Sequence, residues 1–258
     1  MVAQKIVSIV GLTASGKSGL GILLAKKFNG EIVSADSRQV YRGVDIASGK
    51  VTKQEQQEVK HHLIDVADIN TTYDVATFQE DAYKAIDDIL ARGGLPFLVG
   101  GTGLYSRCIV QGYNFSGDFS RSDKNSRHAL ADNSQNNKPK YNVLQICLLP
   151  PREELLKKVV ERTNQRLKDG IIQETKKLLD SGANEDWLNS LGFEYKLTIQ
   201  FIKGEILKEK YIDEFITKTM QYAKRQRTWF KKELKTIYLT DEKVYVQECE
   251  RLIQDFLK

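Results

Sequence analysis

Residues 11–18 read Gly-Leu-Thr-Ala-Ser-Gly-Lys-Ser, a complete G-x-x-x-x-G-K-[ST] pattern, and what surrounds them decides how the pattern is read. Upstream, Lys5 to Val10 is a short, apolar, β-branched run, and downstream Gly19 to Phe28 has a helix-like composition. Strand, loop and helix in that order separate a phosphate cradle from a chance match. Gly11 and Gly16 let backbone N–H groups turn toward an anion, with Thr13, Ala14 and Ser15 in the loop between them. Lys17 can bridge terminal phosphates, and the Ser18 hydroxyl can ligate Mg²⁺. The plain alternative is a glycine turn with an incidental lysine, and the strand–loop–helix context argues against it. The loop predicts a polyphosphate ligand without saying which one.

The chain has 258 residues, 41% of them apolar and 28% charged, enough for one α/β domain with an appendage. It contains no run of about 18 apolar residues, so no membrane span is expected. The first strand starts at Lys5, which leaves no room for a signal peptide and leads us to expect a cytoplasmic protein. Cys108, Cys147 and Cys249 lie far apart without C-x-x-C spacing, as expected of reduced, half-buried residues. The net charge of +5 is unevenly placed. Between Lys218 and Lys235 stand seven basic residues against the single acid Glu233. Such a basic helix suits a nucleic-acid or polyphosphate partner, and it is equally compatible with a merely solvated face.

Short β-rich runs at 31–35, 96–99, 141–149 and 236–239 alternate with helical stretches at 74–92, 152–181 and 211–234. The alternation predicts an α/β fold: a P-loop NTPase-like core with a parallel sheet flanked by helices. In the last helix, Ile216, Met220, Ala223, Phe230 and Leu234 recur at three- and four-residue spacing and are expected to face the core, with Lys224, Lys231 and Lys235 opposite. Residues 114–140 are polar, turn-rich and nearly free of aliphatic side chains. They predict a surface loop dividing the core into 1–113 and 141–258.

Other residues add to the phosphate loop. Asp36-Ser37-Arg38-Gln39 follows the second strand, at the crevice where doubly wound sheets bind ligands. There Asp36 could hold Mg²⁺ or accept a substrate proton, or simply complete a turn. Gly100-Gly101-Thr102-Gly103 follows another strand and allows close backbone approach, a weak signal alone. His61 and His62, being adjacent, point to opposite faces and make poor joint metal ligands; one packed and one exposed is the simpler reading.

Together these segments resemble the tRNA dimethylallyltransferases. The resemblance rests on Gly-Leu-Thr-Ala-Ser-Gly-Lys-Ser (11–18), Asp-Ser-Arg-Gln-Val-Tyr-Arg-Gly-Val-Asp-Ile (36–46), His-His-Leu-Ile-Asp (61–65), Gly-Gly-Thr-Gly-Leu-Tyr (100–105), Leu-Gly-Phe-Glu-Tyr-Lys (191–196) and Ala-Lys-Arg-Gln-Arg-Thr-Trp-Phe (223–230). It implies transfer of a dimethylallyl group from its diphosphate to N6 of the adenosine 3′ of the anticodon in tRNA. The phosphate loop would then hold dimethylallyl diphosphate rather than ATP, with Mg²⁺ as cofactor and Ser18 as its ligand. By the same resemblance Asp36 is the base, Thr102 positions the base or the diphosphate, and Arg162 clamps the diphosphate. The resemblance also puts Asp36, Ser37, Arg38, Gln39, Thr102 and Arg127 at the tRNA anticodon stem-loop, together with the 189–194 turn. Lys224, Arg225 and Arg227 would then meet RNA phosphates. A base has to leave its stack to reach such a site, so a channel is expected. The protein is expected to act as a monomer.

The sequence departs from the family pattern in two places. Leu12 stands where proline is usual, and 114–140 replaces most of a helical insertion that grips the anticodon stem. The shortened region keeps open a relative of the adenylate isopentenyltransferases, acting on free AMP, ADP or ATP, and an RNA binder without turnover. A small-molecule P-loop kinase would need a nucleobase pocket that no motif supplies.

Overall fold

The computed structural model describes residues 4–115, 138–233 and 235–258. Its centre is a six-stranded, wholly parallel sheet in the order β3-β2-β4-β1-β5-β6. The strands are β1 (Lys5–Gly11), β2 (Gly30–Ser34), β3 (His61–His62), β4 (Leu95–Gly100), β5 (Asn142–Leu148) and β6 (Thr236–Leu239). β1 lies between β4 and β5 and is covered on both faces, so Ile6, Val7, Ile9 and Val10 are all fully buried. That double burial explains an apolar run without alternation.

Helices α1 (Lys17–Lys27), α2 (Lys53–Glu58), α3 (Val75–Ala91) and α4 (Gly103–Gln111) connect the first strands. Asp74 caps α3 through the Thr77 N–H at 2.9 Å, and Thr52 with Glu55 forms a capping box on α2. After β5 come α5 (Arg152–Asp169), α6 (Ile171–Asp180), α7 (Glu185–Leu191), α8 (Phe193–Ile202), α9 (Lys208–Phe230) and, after β6, α10 (Tyr245–Leu257). One face of the sheet packs on α1 and α10 through Leu20, Leu24, Tyr245 and Ile253. The other packs on α3 and α4 through Phe78, Ala82, Ile86 and Ile109. α9 runs past the phosphate loop, where Ala223 and Phe230 pack with Val10 and Leu12.

The structure corrects several expectations. The helical stretch 152–181 breaks at Gly170, whose φ of +96° suits glycine and turns α5 into α6. α9 buries Tyr211, Phe215, Thr219, Ala223, Gln226 and Phe230, so the buried stripe lies to one side of the Ile216–Met220 line, whose members are only half-buried. Two polar residues hide the true stripe from a hydrophobic reading: Thr219 spends its hydroxyl on Phe215 O at 2.8 Å, and Gln226 bonds across the site. Leu234 lies outside the described residues. The three cysteines are fully buried and free rather than half-buried. His61 and His62 form the edge strand β3, pairing with Ile32 and Val33. Among the described residues no helix is long and apolar enough to cross a membrane.

Phe97, fully buried on β4 against the α1 layer, gives a test of this core. Phe97→Ala should lower the unfolding free energy in urea by about 3–5 kcal/mol. Leu23→Ala, on the exposed side of α1 at 42% accessibility, should stay within about 0.5 kcal/mol of the parent.

Candidate functional site

Gly11 ends β1 where the neighbouring strand comes close: a Cβ there would stand 2.5 Å from Leu148 O. The chain then curls through Ala14 (φ +59°) and Gly16 (φ +85°) into α1. Gly16 supplies no side-chain cap, so the first N–H groups of α1 remain available to an anion. The cradle is braced from within and across. Lys17 Nζ donates to Leu12 O at 2.9 Å, and the Thr13 N–H donates to Gln226 Oε1 at 2.8 Å. Gln226 in turn donates through Nε2 to Gly101 O at 2.9 Å, so one buried amide ties the phosphate loop to the second glycine turn. The Ser15 hydroxyl is buried without a partner among the described residues.

Asp36 follows β2 directly and sits on the same cleft as Lys17, Ser18 and Arg162. Its Oδ1 accepts the Arg38 N–H at 2.9 Å, while Oδ2 has no partner among the described residues. Thr102 does not cap α4. Its Oγ1 accepts the Ser37 N–H at 3.0 Å and donates to Ser37 Oγ at 3.2 Å, pinning the turn that carries Asp36. Arg38 Nη1 meets Glu194 Oε1 at 2.6 Å, a pair almost wholly inside the protein. Burial opposes the charge on Arg38, but the Glu194 carboxylate followed by Asp36 outweighs it and holds the guanidinium protonated.

Two further cations stand on α5, Arg162 in the cleft and Arg166 beside it. Arg162, on α5, donates to Thr13 Oγ1 at 3.4 Å and runs past Gly49, where any side chain would overlap its guanidinium. Burial, then the charge of Arg38, lowers the Arg162 pKa. Arg166, one turn further along α5, is buried with its Nε unpartnered among the described residues, and burial followed by repulsion from Arg162 brings its pKa down to about 9. Lys17 falls to about 8, first through burial and then through Arg162. Clustered cations with depressed pKa values mark a site built for a polyanion.

The structure thus brings Gly11, Thr13, Ala14, Ser15, Gly16, Lys17, Ser18, Asp36, Ser37, Arg38, Gln39, Thr102 and Arg162 to one region at the C-terminal edge of the sheet. Gln39 is buried and donates to Gly49 O at 3.3 Å. Lys224 and Arg225 lie exposed on α9, away from the phosphate loop's braces, and Arg225 sits over the Tyr222 ring. Arg227 is half-buried and donates to Pro150 O at 2.5 Å. Arg127 lies outside the described residues. Sequence reasoning missed Gln226 and Arg166, and it placed Glu194 in the 189–194 turn without its pairing to Arg38. The available hint was Gln226 itself, a polar residue recurring on an apolar stripe inside Ala-Lys-Arg-Gln-Arg-Thr-Trp-Phe.

Lys17 yields a pH prediction. A lysine must be protonated to attract an anion, and here the proton leaves near pH 8. Inorganic diphosphate should therefore bind about tenfold more weakly at pH 9 than at pH 7 by titration calorimetry. Lys17→Arg cannot lose its charge and should flatten that dependence, while sharing any titration of the diphosphate itself.

The IPP transferase family model matches residues 39–137 and 125–233, two pieces that overlap at 125–137. The tRNA dimethylallyltransferase of Streptococcus agalactiae (serotype Ia, strain A909) is 34% identical, with 98% of each chain covered. That alignment spans 291 positions against the 258 residues present here, so the relative carries residues this chain lacks. The solved tRNA isopentenylpyrophosphate transferase of Bacillus halodurans superposes with a TM-score of 0.84 at 34% identity, covering 98% of this chain and 96% of that one. The corresponding transferase of Staphylococcus epidermidis gives a TM-score of 0.82 at 29% identity, with 98% and 99% covered. With its phosphate loop, its cation cluster and this breadth of likeness, the chain belongs to the IPP transferase family.

Proposed function

We propose that this protein transfers a dimethylallyl group from dimethylallyl diphosphate to N6 of the adenosine 3′ of the anticodon in tRNA. The observation that carries the reading is one cleft holding both an anion cradle and an Asp36 carboxylate with a free oxygen. The relatives named tRNA dimethylallyltransferase support it.

The diphosphate lies on the N–H groups opening α1, with Lys17 and Arg162 on its terminal oxygens. Positive charge there favours departure of the diphosphate as the allylic C–O bond breaks. The adenine amine is a weak nucleophile because its lone pair is shared with the ring. Asp36 Oδ2 accepts an N6 hydrogen bond, orients the amine toward the allylic carbon and takes the proton as the N–C bond forms. Thr102 acts by fixing the Ser37 turn, which makes it a positioning residue. Among the described residues no cluster of three His, Cys, Asp or Glu could hold a metal alone. Ser18 Oγ, a hard oxygen donor beside the cradle, would hold an Mg²⁺ there. The ion would supply charge neutralisation for the diphosphate leaving group.

Lys224, Arg225, Lys231 and Lys232, exposed along α9 and just beyond it, supply phosphate contacts to tRNA independent of sequence. We place the residues this chain lacks at 114–140, between core segments 1–113 and 141–258, where the two family matches overlap. A reduced grip on the anticodon stem favours free adenine nucleotides as the second reading.

Labelled dimethylallyl transfer, with tRNA and with AMP, ADP and ATP in parallel, tests the proposal. Label should appear on tRNA, and Asp36→Ala should slow transfer by about 10²–10⁴-fold with diphosphate binding retained. Label confined to free nucleotide would overturn the tRNA assignment, and tight tRNA binding without label would leave a binder without turnover.

A further inference from the structure

Beside the phosphate cleft lies a second space, a cavity of about 460 Å³ between α5 and residues 45–56. Ser18, Gly49, Val51 and Arg162 line both, so the two adjoin, and Arg166 borders only the second. The carboxylates around this cavity are already engaged. Lys50 Nζ lies 2.6 Å from Asp45 Oδ1 and 2.5 Å from Asp65 Oδ1. Lys53 Nζ lies 3.2 Å from Asp65 Oδ2. Gln165 Nε2 donates to Asp169 Oδ1 at 2.7 Å, and Glu55 accepts the Thr52 N–H at 2.7 Å.

Arg166 stands apart from this pairing. It is 6% exposed, yet none of its N–H donors has a hydrogen-bond or carboxylate partner among the described residues. Its guanidinium lies 5.9 Å from the Phe215 ring centroid, a contact that leaves the N–H groups unsatisfied. Glu194 and Asp36 favour its charge only through space, and Glu194 Oε1 is taken by Arg38. Arg162 is little better served, with the Thr13 hydroxyl at 3.4 Å and no carboxylate.

Gly49 shows where the two guanidinium groups lie. A Cβ at this position would overlap Arg162 Nη2 and stand 3.1 Å from Arg166 Nη2. With φ at +63° and no side chain, Gly49 leaves both Nη2 atoms together on the cavity wall. Two neighbouring cations out of water, with no counter-charge between them, form an arrangement that a bound anion resolves.

We infer that Arg166, with Arg162 beside it over Gly49, forms a second anion site that takes a phosphate group, distinct from the cradle at Lys17. The site goes beyond the proposed reaction, since the reaction needs only the cradle. A free diphosphate and the phosphate of an adenine nucleotide share the chemistry that Arg166 recognises. Arg162 borders both positions, so two anions bound together repel, and the second binds more weakly than the first.

Calorimetric titration of the full chain with inorganic diphosphate, without tRNA or prenyl donor, tests the inference and leaves the prenyl-transfer reading aside. The parent should bind two equivalents, the second at least about tenfold more weakly. Arg166→Met should lose the weaker equivalent and keep the tighter within about threefold, whereas Lys17→Ala should lose the tighter and keep the weaker. Removing a buried charge that has no partner should also raise the Tm of anion-free Arg166→Met by about 2 °C or more. Arg166→Gln carries the test if Arg166→Met does not fold. A parent that binds one equivalent overturns the inference, as does Arg166→Met still binding two. Loss of the tighter equivalent in Arg166→Met also overturns it, because Arg166 would then belong to the cradle. A parallel titration with AMP separates the two sources. AMP affinity reduced about tenfold in Arg166→Met assigns the site to a nucleotide phosphate, and unchanged AMP affinity with the second diphosphate lost assigns it to free diphosphate.

Discussion

The arrangement of this protein turns on a cluster of positive charge that the fold holds together without enough negative charge to balance it. Lys17, Arg38 and Arg162 line one cleft with Arg166 beside Arg162, and the carboxylates near them are Asp36 and Glu194. Glu194 is committed to Arg38 at 2.6 Å. The remaining cations feel both desolvation and each other, which is why Lys17 and Arg166 lose their protons more easily than free side chains do. Such a site is less favourable empty than filled. A diphosphate would relieve repulsion at several centres at once, so part of the folding free energy stored in the cluster returns as anion affinity.

Holding that cluster requires elements far apart in sequence to keep register. Gln226 is the clearest example. From the buried face of α9 it bonds the phosphate loop on one side and the Gly101 turn on the other. Both turns terminate neighbouring strands, β1 and β4, so the sheet fixes their spacing and Gln226 spans it. The opposite side of the same helix carries Lys224 and Arg225, and Lys231 and Lys232 lie just past its end. One rigid helix therefore links the interior of the site to a basic surface, and nucleic acid bound outside would lie at a set distance from the chemistry inside.

The sequence made legible the parts whose function is local. Strand, glycine loop and helix at 5–28 follow from neighbouring residues, because backbone direction in such a turn is dictated by where glycine stands. Asp36 and Thr102 were legible for the same reason, each lying just past a strand end. Gln226 and Arg166 were not. Their roles arise from partners such as Thr13, separated from Gln226 by 213 positions, and no local periodicity encodes such a pairing. The α9 stripe shows the mechanism of the error in detail. A hydrophobic count follows Ile216 and Met220, whereas the structure buries Thr219 and Gln226 because their polar atoms are satisfied once buried. β3 escaped notice because two histidines at a sheet edge carry no β-branched pattern.

A phosphate loop usually suggests phosphoryl transfer, and the geometry here argues for a different use of it. In a kinase the cradle holds a group that must move to an acceptor lined up beyond the terminal phosphate. Here the carboxylate lies on the cleft with one oxygen fixed by the Arg38 N–H and the other open, suited to drawing a proton from an amine. Beyond the cradle the walls are Ile32, Val51 and Val99, with Ser34 and His61 among them. In the proposed reaction the loop serves as the seat of the leaving group, and the bond that breaks is carbon to oxygen. Changing what leaves, rather than what is carried, is enough to turn a nucleotide-binding scaffold to alkyl transfer.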